Sequence, residues 1–422
     1  MNNFDRIIGY DSIKKELLQI CDMLRNENVY NELGAKLPNG VLLYGDPGLG
    51  KTLMAKCFIE ESRLKAFTIR KNKSKNFVEY ISEVFNEAKN NAPSIVFLDD
   101  MDKFANEDNH HRDAEEYVAV QSAIDDIKGC NVFVLATVNE YRKLPSSLTR
   151  SGRFDRSIEV CSPSSADSIK IIEYYLKDKK VSENVNVEDI SKMISYSSCA
   201  ELETIMNEAA IIAGYKRKEK IEMTDIVNAV LKMEYDAPDE FTKVSDTELT
   251  KIAYHEAGHV IVSELLNPGS VGLASIRTSG RDSMGGFVRR CKSLPTTEGH
   301  IMVSLAGKAA VEVNYGGCAD GCEADIRRAY DYVRDDISEN GSLGLGMVDV
   351  ANHRFPDTSE SMNSRNEAVV HAELARYMYK TKELIIKNKA YLDKVAESLL
   401  DRETLVASEI KRIKDELIEV EQ

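Results

Sequence analysis

The stretch Gly45-Asp46-Pro47-Gly48-Leu49-Gly50-Lys51-Thr52 leaves this chain the least freedom. It follows an apolar run, Gly40-Val41-Leu42-Leu43-Tyr44, and leads into a helical pattern from Leu53 onward. A buried strand, a glycine-rich loop and a helix in that order form a phosphate cradle on a parallel sheet. The glycines let backbone N–H groups wrap the phosphates at a helix N-terminus. Lys51 is placed to reach the β- and γ-phosphates and Thr52 to ligate Mg²⁺. Residues Gly45 through Leu53 are therefore the candidate ATP-binding set.

Two further apolar runs support that sheet. Ile95-Val96-Phe97-Leu98 ends in Asp99-Asp100, where Asp99 is placed to hold Mg²⁺ through water and Asp100 to polarise an attacking water. Val132-Phe133-Val134-Leu135-Ala136-Thr137 leads to Asn139, whose amide is placed to orient the γ-phosphate and that water. Arg150 and Arg153 flank Gly152 beyond this strand, as arginine fingers serving a neighbouring subunit would. Residues 2–33 read as a short lead-in and an amphipathic helix carrying Ile13, Leu17, Ile20 and Leu24.

A second chemistry lies further along. Tyr254-His255-Glu256-Ala257-Gly258-His259-Val260 contains H-E-x-x-H inside a well-bounded helical pattern. Ser245 and Glu248 form a capping box before it, and Asn267-Pro268-Gly269 stops it. His255 and His259 are one turn apart, so both imidazoles leave one face and share one Zn²⁺. Glu256 stands beside them to take a proton from water. Gly258 costs a helix about 1 kcal/mol relative to Ala, which implies close packing there. For a third ligand, spacing leaves Glu312, Asp320, Glu323 and Asp325 open. Asp325 adjoins an apolar stripe of Ile326, Ala329 and Val333, which turns it inward.

Composition narrows the partners. A net charge of −15 over 422 residues argues against nucleic acid. No apolar run reaches the length of a membrane span, and Asp5 and Arg6 stand where a signal peptide would be apolar. A cytoplasmic location is expected, with eight cysteines reduced and mostly buried.

The ordered set of Gly45–Thr52, Ile95–Asp100, Asn139 and Thr149–Arg156 resembles an AAA+ ATPase. Ser198–Leu202 and Asn207–Ala210 are similar to that family's helical lid. An AAA+ module followed by H-E-x-x-H resembles the FtsH-type AAA zinc proteases, from about Phe4 to the C-terminus. The resemblance implies a hexameric ring of identical subunits, ATP at each boundary with Arg150 and Arg153 acting across it, and Ile8 and Gly9 against adenine. It also implies Asp325 as the third zinc ligand, through Gly321–Ile326. Ser283–Val288 resembles the edge strand beside the metal, fit to take an extended peptide by strand addition. Glu367–Lys387 and Ala390–Leu400 look like the closing helical bundle, with Arg354–Asn363 a polar loop.

The expected architecture is an α/β AAA+ domain (1–163), its helical lid (164–235) and a mainly helical zinc peptidase domain (236–422). The expected function is an ATP-dependent zinc endopeptidase acting on protein substrates. Two other readings share these motifs: a peptidase whose ATPase ring regulates without unfolding, and a remodelling ATPase with an inactive protease. The chain departs from the family pattern in three ways. It begins at the ATPase module, without the usual N-terminal transmembrane helices. Asp100 replaces the usual Glu, which pulls the carboxylate back by roughly a bond length and slows hydrolysis. Arg70–Tyr80 is shorter than the usual pore-loop region, with Phe77 the one candidate grip.

Overall fold

The computed structural model describes residues 2–71, 76–105, 114–150, 152–237, 245–278, 285–317, 321–337 and 360–420. They form two compact units. The first comprises Met1–Lys179 with Tyr196–Asn207, and the second Lys180–Ser195 with Glu208–Gln422.

The first unit is built on five parallel strands: β1 (Gly40–Tyr44), β2 (Lys65–Ile69), β3 (Ser94–Leu98), β4 (Val132–Val138) and β5 (Arg156–Glu159). Their order is β2-β3-β4-β1-β5. Register pairs Leu42 with Ala136 and Val96 with Val134. The central strands are buried along their whole length because helices cover both faces. One face carries Leu42, Val96, Leu98, Val134 and Ala136 into a core with the helices Phe77–Asn90 and Ala114–Asp126. The alternate residues Val41, Leu43, Ile95, Phe97, Phe133 and Leu135 pack under Asp11–Arg25 and Lys51–Ser62. β2 and β5 escaped the sequence reading. Both lie at the sheet edges and are half-exposed, so neither shows the continuous apolar run of a central strand.

Phe77 is buried against Phe104 and Tyr80 and belongs to this core. Residues 72–75 of the shortened segment lie outside the described residues, as do His110 and His111. Within the stretch read as a lid, Ser165–Leu176 groups with the first unit. Val187–Met193 and Met223–Tyr235 group with the second, and Cys199–Tyr215 runs through both.

The second unit is mainly helical. The helix Asp246–Leu266 sits at its centre, packed on Thr297–Tyr315 and Lys389–Arg402. Glu323–Asp335, Glu360–Lys387 and Ala407–Val420 complete the bundle. A small antiparallel sheet, in the order β7-β6-β8, joins β6 (Val271–Thr278), β7 (Gly285–Arg290) and β8 (Thr404–Val406). The expected loop Arg354–Asn363 needs correcting. Glu360–Asn363 are the first turn of the helix Glu360–Lys387, and 354–359 lie outside the described residues. Polarity misled the reading there, since Glu and Met are good helix formers whatever the polarity of the stretch around them.

Candidate zinc and nucleotide sites

The helix Asp246–Leu266 begins as its sequence dictates. The Ser245 hydroxyl accepts the Glu248 N–H at 3.3 Å, and the Glu248 carboxylate accepts the Ser245 N–H. One turn of this helix carries His255 and His259. Asp325 comes from the first turn of Glu323–Asp335, capped by Cys322.

His255 Nε2 and His259 Nε2 lie 3.1 Å apart, and Asp325 Oδ2 is 3.1 and 3.2 Å from them. Tetrahedral zinc with Zn–N bonds of ~2.0–2.1 Å holds its ligand atoms about 3.3 Å apart, so the trio has the spacing that ion requires. His259 Nδ1–H donates to the Val303 carbonyl at 2.8 Å. A carbonyl only accepts, so that bond leaves the Nε2 lone pair of the neutral ring aimed at the other two groups. The residues therefore fit Zn²⁺. Among the described residues this is the group of three acidic, His or Cys side chains suited to a metal. Asp325 is buried, as are Ala329 and Val333, whereas Ile326 is exposed and outside the stripe. Cys322 Sγ approaches His255 from its other nitrogen, Nδ1, at 3.8 Å, and so supports the ring from behind. Of the other ligand candidates, Glu312 is paired with Lys308 and Lys382, and Glu323 with Arg327. Asp320 lies outside the described residues.

Burial and charge tune these groups. Burial disfavours a charged His255, but Asp325 and Cys322 outweigh it, and the imidazole is pushed up to about 9. Burial alone would raise Asp325, yet the two imidazoles hold it well below the usual carboxylate range. Glu256 is pushed up to about 7, by burial above all.

Close packing supports the group. A Cβ on Gly258 would stand 2.5 Å from the Ala306 carbonyl oxygen, so the approach of Thr297–Tyr315 explains the glycine. One on Gly307 would stand 2.4 Å from the His255 ring. β7 passes the site, and Gly286, Phe287 and Val288 line the same cleft as Glu256. It is the edge strand of its sheet among the described residues. Ser283 and Met284 lie outside them. Gly307 and the Val303 carbonyl carried no sequence signal, because a backbone acceptor has no residue signature.

In the first unit the loop after β1 wraps as expected, with Gly45, Gly48 and Gly50 all at positive φ. Lys51 Nζ donates to the carbonyls of Gly45 (2.8 Å) and Asp46 (2.6 Å). Thr52 and Thr137 hydroxyls donate to Asp99 Oδ1 at 3.0 and 2.8 Å. Asn139 Nδ2 donates to Asp100 Oδ1 at 3.3 Å, and Lys103 to Asp100 Oδ2 at 2.6 Å. A cleft of about 740 Å³ gathers Pro47–Met54, Asp100, Asn139, Ile8, Tyr174 and Tyr175. Gly9 turns the chain beside it at φ +73°. Its size and the exposed loop amides fit a nucleotide with its Mg²⁺.

One contact was not foreseen: Arg70 Nε donates to Asp99 Oδ2 at 2.6 Å. Neither arginine-finger candidate lines the cleft. Arg153 makes a two-pronged pair with Asp125 at 3.1 and 2.7 Å, while Arg150 is exposed. The described cysteines are free thiols, with Cys21, Cys57 and Cys322 buried and Cys161 exposed. No helix among the described residues is long and apolar enough to cross a membrane.

Comparison with known proteins agrees with both sites. Residues 41–162 match the ATPase family associated with various cellular activities (AAA), and residues 242–413 match peptidase family M41. The chain is 31% identical over 438 residues to the ATP-dependent zinc metalloprotease FtsH of Leptotrichia buccalis, covering 97% of this chain and 56% of that protein. It is 30% identical over 440 residues to the ATP-dependent zinc metalloprotease FtsH 2 of Symbiobacterium thermophilum, covering 97% of this chain and 74% of that protein. A relative named ATP-dependent zinc metalloprotease FtsH 1, from Methylacidiphilum infernorum, is 30% identical and 70% covered. The chain thus spans between 56 and 74% of the length of such relatives. With an AAA module, an M41 module and this likeness along nearly its whole length, the chain belongs to the FtsH family of ATP-dependent zinc metalloproteases.

Proposed function

We propose that the chain is an ATP-dependent zinc endopeptidase that degrades protein substrates. The observation that carries this reading is the convergence of His255 Nε2, His259 Nε2 and Asp325 Oδ2 beside a buried Glu256. Bound by those three, Zn²⁺ supplies a Lewis acid that makes water a nucleophile at neutral pH. Glu256 accepts one proton from the attacking water as its oxygen bonds to the peptide carbonyl carbon. When the C–N bond breaks, Glu256 returns that proton to the leaving nitrogen. β7 offers its free edge to an extended substrate.

In the ATPase module, Ile8, Gly9 and Gly45–Leu53 bind the nucleotide and Thr52 and Asp99 hold its Mg²⁺. Asp100 and Asn139 orient the attacking water, and turnover feeds chain to the peptidase. Six copies form the ring, with Arg150 and Arg153 at the subunit boundary. The pairing of Arg153 with Asp125 suits a residue that braces that boundary, and leaves Arg150 as the free finger. The boundaries 1–163, 164–235 and 236–422 follow from this assignment of roles. This reading has the protein work on the cytoplasmic side, either free or tethered to a membrane.

Casein degradation tests the whole. Loss of casein with ATP and zinc, and none without ATP, with a chelator, or in Glu256→Gln, is the expected result. Loss that ignores ATP would overturn the coupling. No loss despite bound zinc would overturn the peptidase. Sedimentation with a non-hydrolysable nucleotide checks the hexamer, and cell fractionation checks the location.

A further inference from the structure

The cleft at the His255–His259–Asp325 group is lined by two arginines as well as by Glu256 and Asp325. Its volume is about 240 Å³, room for side chains of an extended peptide and not for a folded segment. Val288 and Val303 form apolar wall, and Arg290 and Arg328 face it beside Ser304.

Arg290 ends β7, the strand that borders the site. Its Nη1 is shut off from solvent and has no hydrogen-bond partner among the described residues. Partial burial, and then the like charge of Arg328, depress its guanidinium. Among the described residues no carboxylate forms an ion pair with it. Asp325 is taken by the two imidazoles, with Arg328 3.7 Å from its other oxygen. The neighbouring Arg289 donates from Nη2 to the Ser195 carbonyl at 2.7 Å, although its own Nε is also shut off without a partner. A part-buried guanidinium with a shielded, unused donor is completed best by a carboxylate.

We propose that Arg290, with Arg328 beside it, makes this cleft select a substrate carboxylate next to the scissile bond. The peptidase would then cut beside Asp or Glu, or close to a free C-terminus. This rests on the peptidase reading above. The acidic side chain and the C-terminal carboxylate share one chemistry, and the test separates them.

The experiment uses zinc-loaded full chain carrying Glu256→Gln, so that peptides bind without being cut, and the parent alongside for cleavage. Fluorescent peptides carry Glu, Gln, Ala or Lys at each position flanking the bond, with a free or amidated C-terminus. Glu is expected to bind about tenfold tighter than Gln at one flanking position, as charge-assisted bonding to a part-buried guanidinium implies. Adding Arg290→Met should erase that ratio, Arg290→Lys should keep part of it, and Arg290→Glu should turn the preference towards Lys. A preference for the free acid over the amide that vanishes in Arg290→Met supports the C-terminal form of the proposal. Equal binding of Glu and Gln peptides and of acid and amide, or a preference that survives Arg290→Met, overturns it. Absence of cleavage by the parent, with the binding preference intact, would count against the peptidase reading alone.

Discussion

At the scale of residues, the His255–His259–Asp325 group depends on what stands behind it. Gly307 is an example: any side chain there meets the His255 ring. Gly307→Ala is expected to lower zinc content per chain several-fold, read by elemental analysis, while Glu256→Gln keeps its zinc. In Glu256→Gln, peptide cleavage should fall by about 10²–10⁴, the usual worth of a general base. Arg70 is the corresponding residue in the ATPase module. It pairs with the carboxylate placed to hold Mg²⁺, and its guanidinium is largely exposed. With Arg70 largely exposed and Asp99 buried, the pair is worth about 1 kcal/mol. Arg70→Ala should therefore tighten Mg²⁺–ADP binding by roughly three- to fivefold and leave metal-free ADP unchanged. Fluorescent-nucleotide titrations with and without a chelator check this.

At the scale of elements, the helix Asp246–Leu266 is where local code and packing agree. Its N-terminus is written in Ser245 and Glu248, its end in Asn267-Pro268-Gly269, and its one awkward residue, Gly258, is explained by the neighbouring helix. Ser245→Ala removes the cap, a loss of about 1 kcal/mol. Faster hydrogen exchange confined to the first turn, with zinc content unchanged, is the expected outcome, since His255 lies more than two turns further on. Helix assignments were legible wherever a cap or an apolar stripe marked them, as at Asp11–Arg25 and Met223–Tyr235. They failed at Glu360, where a polar helical turn reads like coil, and at the edge strands β2 and β5.

At the scale of the molecule, each unit has its own core, and each core positions one chemistry. The zinc group joins Asp246–Leu266 to Glu323–Asp335, two helices far apart in sequence. Removing the metal should therefore raise hydrogen exchange in those two helices and leave β1, β3 and β4 protected. Nucleotide should act the other way, stabilising the first unit by about 2.7 kcal/mol at a hundredfold excess over Kd. Hydrogen exchange of the full chain with chelator or with Mg²⁺–ADP distinguishes the two effects.

The sequence alone determined both chemistries, because each is local. Gly45–Thr52 needs only a strand before it and a helix after it, and His255, Glu256 and His259 need only the pitch of one helix. Both motifs are therefore legible without a fold. Asp325 was different: spacing left four carboxylates open, and resemblance made the choice. Its position 3.1 and 3.2 Å from the two Nε2 atoms is a fact of packing. Tertiary structure alone decided the rest. The Val303 carbonyl sets a tautomer, Gly307 admits a ring, Arg70 meets Asp99, and Arg290 holds a shielded, unpartnered Nη1. Each of these contacts joins residues far apart in sequence, or sets a burial that only the folded chain creates. No periodicity or spacing records either, so neither could be read before the fold was known.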